Sequence, residues 1–242
     1  MHALIIDGLR KEYKDVVAVD HLDLTIAEGE LFSLLGVNGA GKTTAIKMLS
    51  CLTQPTGGTA FIHGISIRQE PERVKSIIAV SPQETAVAPG LTVRENLELI
   101  CGLYGFSKDK RKQKILDTLQ QLGLQEVANK KAGQLSGGWQ RRLSIAMALI
   151  SEPEVLFLDE PTLGLDVLAR SDLWELIRGL KGLVTIILTT HYMEEAEALS
   201  DRVGVMSKGR LLCCDTVENI KAQTGTNSLE QAFIHIVKEA GK

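Results

Sequence analysis

The sequence predicts an α/β body interrupted by a helical insert. The first 35 residues read as strands, and from Glu154 onward short apolar runs alternate with helix-spaced segments. Between residues 84 and 150 three helical stretches follow one another with no strand between them. The division is a body of residues 1–83 and 151–242, with an antiparallel β part at its N-terminus, and an insert of residues 84–150, together one domain. A chain of 242 residues can bury about 70–75% of its unfolded surface, so it needs no staples.

Leu22, Leu24 and Ile26 alternate with polar neighbours, the period of a half-buried strand, and Ala27-Glu28-Gly29-Glu30 turns the chain. Leu31–Leu35 is a short apolar run ending at Gly36, and helix-like Lys42–Leu49 follows. Pro55-Thr56-Gly57-Gly58 is a turn cluster leading into strand Thr59–Ile62, and Ile77–Val80 reads as another strand. In the insert, Thr92–Tyr104 has helical spacing through Val93, Leu97 and Ile100, with Thr92 as N-cap and Glu95 placed for a capping box. Ser107–Leu122 and Trp139–Ile150 are the next two helices. Strand Val155–Leu158 then precedes helix Val167–Leu180, and strand Val184–Leu188 precedes helix Tyr192–Leu199. Strands Val203–Met206 and Leu211–Cys214 flank the turn Ser207-Lys208-Gly209-Arg210, and Ser228–Ala240 reads as an amphipathic helix.

Hydrophobic residues make up 44% and charged residues 24%, a globular balance that excludes global disorder, collagen-like repeats and a disulfide scaffold. Lys+Arg total 27 against Asp+Glu 30, a net charge of −3, so no nucleic-acid partner is expected. No apolar run approaches the ~18–20 residues of a membrane span, and Met1–Asp7 lacks the marks of a signal peptide. Cys51, Cys101, Cys213 and Cys214 form no CxxC pair, which points to reduced, mostly core thiols in a cytosolic protein. Adjacent Cys213 and Cys214 should face opposite sides of one strand. The run Lys108-Asp109-Lys110-Arg111-Lys112-Gln113-Lys114 reads first as a solvated helix face, with weak attraction to anionic lipid headgroups as the alternative.

Gly36-Val37-Asn38-Gly39-Ala40-Gly41-Lys42-Thr43 fits G-x-x-x-x-G-K-[ST], with an apolar run before it and a helix pattern after it. A nucleotide's β-phosphate needs several backbone N–H donors converging on it, and side chains would block that approach, so glycines recur. The loop opens a helix whose N-terminal N–H groups and dipole favour an anion. Lys42 can reach the β- and γ-phosphates, the Thr43 hydroxyl can bind Mg²⁺, and Thr44 completes this set of candidate ATP contacts. Val155-Leu156-Phe157-Leu158 brings Asp159 and Glu160 to a strand's C-terminal end, where an open parallel sheet places its ligands. Asp159 is a candidate Mg²⁺ ligand through water, and Glu160 a candidate general base on an attacking water.

Leu135-Ser136-Gly137-Gly138 lies between those two motifs and just before a helix, a second cradle of bare N–H groups with one hydroxyl. Here the sequence resembles the ATP-binding cassette (ABC) ATPases, whose signature is LSGGQ; Trp139 stands at the fifth position and Gln140 follows. The resemblance spans nearly the whole chain and is tightest over residues 36–44, 135–146, 155–166 and 189–197. It implies a P-loop ATPase core with a mixed sheet, an antiparallel β subdomain and an inserted α-helical subdomain. It places Tyr13 against adenine, Gln83 on Mg²⁺ or the attacking water, Asp166 in a loop crossing a dimer interface, and His191 on the γ-phosphate. In this family two subunits meet head to tail, each ATP lying between one subunit's Lys42-type loop and the other's Ser136-type loop. Thr190-His191-Tyr192-Met193-Glu194-Glu195-Ala196-Glu197 and the tail Ser228-Leu229-Glu230-Gln231-Ala232-Phe233 look most like the bacterial drug, antibiotic and lipid exporter branch. The expected partners are a second cassette, a homodimer first, and a separate integral membrane permease that holds the chain at the cytoplasmic face of the membrane. The alternatives are an importer ATPase, for which the short tail after Cys214 is less typical, and a non-transport ABC ATPase such as an iron–sulfur assembly factor. A small-molecule kinase would share the glycine loop but has no use for Ser136 or His191.

Overall fold

The computed structural model describes residues 1–241. A long hairpin, β1 (His2–Tyr13) and β2 (Val16–Ala27), leads into β3 (Leu31–Leu35), the glycine loop and α1 (Lys42–Leu49). After β4 (Gly57–Ile62) and β5 (Ile65–Ser66) come α2 (Pro71–Ile77) and β6 (Ile78–Ser81). Three helices follow: α3 (Val93–Leu103), α4 (Lys108–Gln121) and α5 (Gly137–Leu149). The chain then alternates through β7 (Val155–Asp159), α6 (Val167–Leu180), β8 (Thr185–Thr190) and α7 (Met193–Leu199), and closes with β9 (Arg202–Ser207), β10 (Arg210–Asp215), α8 (Val217–Thr224) and α9 (Leu229–Glu239).

The strands form two sheets. One is antiparallel, in the order β2-β1-β4-β5; the other is mixed, in the order β10-β9-β3-β8-β7-β6. In the second, β9, β3, β8, β7 and β6 run parallel and β10 pairs antiparallel at one edge. Every residue of β3, β7 and β8 is buried, because layers cover both faces, and strands in that setting lose the polar alternation. The strand order positions the site. Leu35 pairs with Thr190, Asp159 with Thr189 and Ser81 with Leu158. The segments after β3, β8, β7 and β6 therefore leave the same edge side by side, although residues 36, 83, 160 and 191 are far apart in sequence.

The insert helices bury Val93, Leu97, Ile115, Leu119 and Leu143 in one cluster with Leu156, Leu158 and Leu188 of the mixed sheet. Thr92 closes the predicted capping box with Glu95, a device worth about 1 kcal/mol to a helix start. Cys213 packs with Leu35, Val203 and Val205, whereas Cys214 packs with the cluster of Leu34 and Met206, so the two thiols do face opposite sides of β10. All four cysteines are free.

Three expectations need correction. Helix α5 starts at Gly137, not Trp139, with Ser136 in the N-cap position; glycine's poor helix propensity hid its first turn. Strand β8 continues through Thr189 and Thr190, since β-branched threonines extend a strand beyond its apolar run. Lys114 does not belong to a solvated face: it is buried, 2.6 Å from Glu152, with its ammonium over the Phe106 ring. The short helices α2 and α8 had no sequence expectation. They bury only Val74, and Val217 with Ile220, too little for a visible period, although Pro71 at the start of one and Thr216 as N-cap of the other are start signals.

Candidate functional site

The glycine loop is shaped by backbone crowding. A Cβ on Gly41 would lie 2.4 Å from the Ala18 carbonyl oxygen, and its φ of +105° is one that only glycine adopts readily. A Cβ on Gly36 would lie 2.4 Å from the Met206 carbonyl oxygen. The loop thus rests on β2 and β9 and borders a cleft of about 600 Å³ lined by Asn38, Gly39, Ala40, Gly41, Lys42, Thr43 and Thr44 together with Gln83, Glu160 and His191. Lys42 is buried; its ammonium donates to the carbonyls of Gly36 (2.7 Å) and Val37 (3.3 Å) and sits 3.3 Å from Glu160 Oε1.

Asp159 and Glu160 point differently because Glu160 takes a left-handed backbone with φ of +47°. That costs a non-glycine residue about 1–2 kcal/mol, and it is offset by the Glu160 N–H, which donates to both the carbonyl and the hydroxyl of Thr189. The same hydroxyl donates to Asp159 Oδ1 at 2.5 Å, and Thr43 Oγ1 donates to that oxygen at 3.2 Å. Thr43 and Asp159, oxygen donors from α1 and β7, are of the hard kind that Mg²⁺ prefers. The Glu160 carboxylate lies between the Lys42 ammonium and the His191 ring, whose Nδ1 is 3.2 Å from Oε2 without hydrogen-bond geometry. So Lys42, Thr43, Gln83, Asp159, Glu160 and His191 meet in one place. Tyr13 is not among the residues lining the cleft; it is half exposed beneath the Lys11 ammonium and paired in the hairpin with Val16, which does line it.

Ser136, Gly137 and Gly138 are not there. Ser136 and Gly138 line a separate cleft of about 260 Å³ together with Asp166, Leu168 and Asp172. Ser136 is exposed, and its hydroxyl makes no cap bond to its own helix. Gly138 has a packing reason too: a Cβ there would meet that of Ala169 on α6 at 2.9 Å. Trp139, at the fifth signature position, is half-buried under the Arg142 guanidinium, and Gln140 donates to the Leu135 carbonyl at 3.1 Å. Asp166 accepts from the N–H groups of Leu168 and Ala169 as N-cap of α6.

Sequence reasoning missed three residues of the surroundings. Thr189 holds the Asp159 carboxylate and the Glu160 backbone N–H, as above. Arg141 is buried and donates to the carbonyls of Pro82 and Gln83; burial pulls its pKa down, opposed by the charges of Asp159 and Glu195. Glu195, fully buried on α7, accepts through Oε1 from Thr162 Oγ1 (2.8 Å) and Trp174 Nε1 (3.1 Å). It ties the chain just beyond Glu160 to the helix just beyond His191. The readable signals were the doubled arginine after the signature and the repeated acidic residues after His191.

Burial pushes the Glu195 carboxyl above the ordinary glutamate value, against the hydrogen bonds from Thr190, Thr162 and Trp174, and its Oε2 has no partner. A carboxyl with a raised folded-state pKa binds more protons folded than unfolded. Its stability contribution is therefore complete below the unfolded value of about 4.3 and is lost as pH rises through the folded value. Glu195→Gln keeps the acceptor for Thr162 and Trp174 and has no proton to lose. Its melting temperature should accordingly gain on the wild type's as pH rises through that window, measured by thermal unfolding of both proteins from about pH 4 to 8; a constant difference would show that Glu195 does not titrate with folding.

This geometry, a glycine loop and a carboxylate pair at the C-terminal edge of a mixed sheet with a separate serine–glycine helix start, is that of a P-loop ATPase with a cassette signature. The chain belongs to the ABC transporter family, whose sequence pattern matches residues 19–163. It is an ATPase, the ATP-binding subunit of a transporter. It is similar to the daunorubicin resistance ATP-binding protein DrrA3 of Streptomyces coeruleorubidus, 39% identical over 241 residues, covering 99% of this chain and 75% of that protein. Among solved structures it is similar to an ATP-binding subunit of an ABC transporter (TM-score 0.85, 28% identity, 97% of this chain and 99% of that one). It is also similar to the dimeric ATP-binding cassette MJ0796 in a post-hydrolysis state with ADP and Pi (TM-score 0.78, 29% identity, 88% and 98%). Among the described residues no helix is long and apolar enough to cross a membrane.

Proposed function

We propose that the chain is half of a composite ATPase that powers export through a separate membrane permease. The observation that carries this is the separation of its two phosphate cradles: the Lys42 loop and the Ser136 loop open on different clefts. Each is then completed by the other cradle of a second copy or a close relative, as the dimeric neighbour supports. On this reading the β- and γ-phosphates lie on the N–H groups of residues 36–44 and on Lys42, with Tyr13 beside the base and Asp166 at the subunit boundary. Thr43 and Asp159, with Gln83 facing the same cleft, would hold Mg²⁺, which neutralises charge on the phosphates. Glu160 takes a proton from the attacking water, and His191 contacts the γ-phosphate and orients Glu160. Two bound ATP molecules close the dimer through the Ser136 loops; cleavage to ADP and phosphate removes those contacts and reopens it.

Export is supported by the resemblance to the daunorubicin resistance protein. The permease site is an apolar cleft of about 340 Å³ at the junction of the mixed sheet and the insert, walled by Leu52, Val80, Ala86, Ile100, Tyr104 and Met147. Leu52 is 69% exposed at its rim and Leu103, on α3, 76%, apolar surface that a partner would cover. This chain, extracted in detergent with its permease, should lose the partner when Leu52 and Tyr104 are both changed to Asp while ATP hydrolysis by the isolated subunit stays within about twofold of wild type. Undiminished co-purification would remove the site.

A further inference from the structure

We propose that Arg141 is a positioning residue that passes the state of the Ser136 cradle to Gln83, so that each chain links the two ATP sites it serves. The proposal rests on the composite-site reading and adds a mechanism for communication between the sites.

Arg141 sits on α5, about a turn and a half beyond Ser136. The residue is 4% exposed, and its guanidinium forks onto two successive carbonyls, Nη1 to Pro82 at 2.6 Å and Nη2 to Gln83 at 2.5 Å. Nε has no partner, so the hydrogen bonding of this buried cation is committed to that strand exit. Hydrogen bonds from an ionised donor are stronger than those between neutral groups. A second fastening lies nearby on the same face of α5, one helical turn on, where the buried hydroxyls of Ser144 and Ser81 meet at 3.0 Å. Ser81, Pro82 and Gln83 are thus all pinned to the helix whose N-terminus is the signature cradle.

Gln83 lines the cleft of Lys42, Glu160 and His191. In a head-to-tail dimer the α5 N-terminus of one chain meets the partner's nucleotide, while Gln83 of that chain faces its own. A shift of α5 on meeting a γ-phosphate has no soft layer to absorb it before Gln83, because close-packed interiors transmit displacement. One chain would then report the occupancy of one site to the chemistry of the other, which is a coupling free energy between sites. A purely structural Arg141 would fasten the same junction but would leave the response to ATP concentration unchanged.

The test uses the full chain, with rates of hydrolysis measured across ATP concentration and binding of a fluorescent ATP analogue measured below the concentration at which dimers form. The wild type should show a Hill coefficient above 1. Arg141→Gln should bring it to about 1 and lower kcat about tenfold, while affinity for the analogue changes by less than about twofold. Arg141→Lys, which keeps the charge and one of the two bonds, should fall between them. Ser144→Ala, a milder change that keeps the fork, should lower the Hill coefficient in the same direction and serves if Arg141→Gln does not fold. Wild-type cooperativity in a folded Arg141→Gln, or in Ser144→Ala where Arg141→Gln cannot be made, overturns the proposal. A wild type that hydrolyses ATP without cooperativity and as a monomer overturns the composite-site reading instead.

Discussion

Glu160→Gln should bind ATP as the wild type does and hydrolyse it about a hundredfold to ten-thousandfold more slowly, the span that a general base contributes. Glutamine preserves the shape of the side chain and the Glu160 N–H bonds to Thr189, which come from the backbone. It also preserves the contacts of the glycine loop, because Lys42 keeps its carbonyl partners at Gly36 and Val37. What disappears is the carboxylate between the Lys42 ammonium and the His191 ring, the group that the proposed mechanism assigns to take a proton from water. With ATP bound and uncleaved, the contacts that hold two chains together persist, so the variant should accumulate as a dimer in size-exclusion chromatography with ATP and return to monomer with ADP. Normal turnover in a folded Glu160→Gln would assign the base elsewhere.

The sequence made the central strands legible because they are covered on both faces. Val155–Leu158 is an unbroken apolar run and Leu31–Leu35 is interrupted only by Ser33, and the glycines and carboxylates that follow them stand where a parallel sheet presents its ligands. The strand order was not legible. Nothing in residues 36, 83, 160 and 191 states that β8 lies between β3 and β7, yet that order is what brings His191 beside Glu160. Buried polar connections were hidden for a related reason. Thr189 looks like the end of an apolar strand, and Arg141 and Glu195 like the charged faces of their helices. Their burial follows from α5, α6 and α7 packing on the sheet, and helix spacing alone cannot show which charged residue turns inward. Lys114, inside a run that reads as solvated, is the same effect at the surface of the insert.

Ser136→Arg should abolish cooperative hydrolysis while the Lys42 loop still binds nucleotide. Serine here is exposed and its hydroxyl makes no cap bond to α5, so replacing it should change stability by no more than about 0.5 kcal/mol, as for an ordinary surface position. Ser136 lies in a different cleft from Lys42, so affinity measured on monomers should not move. Rate should fall about a hundredfold to a thousandfold, the cost of removing a donor aimed at transition-state charge, and a long guanidinium stem at a helix N-terminus also obstructs a partner's approach. A complementation measurement makes the result specific to shared sites. Lys42→Ala disables the loop but leaves that chain's Ser136 cradle intact; Ser136→Arg does the reverse. Mixed, the two inactive chains form dimers in which one composite site has a wild-type Lys42 from one chain and a wild-type Ser136 from the other, and hydrolysis should return. If each chain carried its own complete site, mixing would restore nothing, since both copies would remain broken.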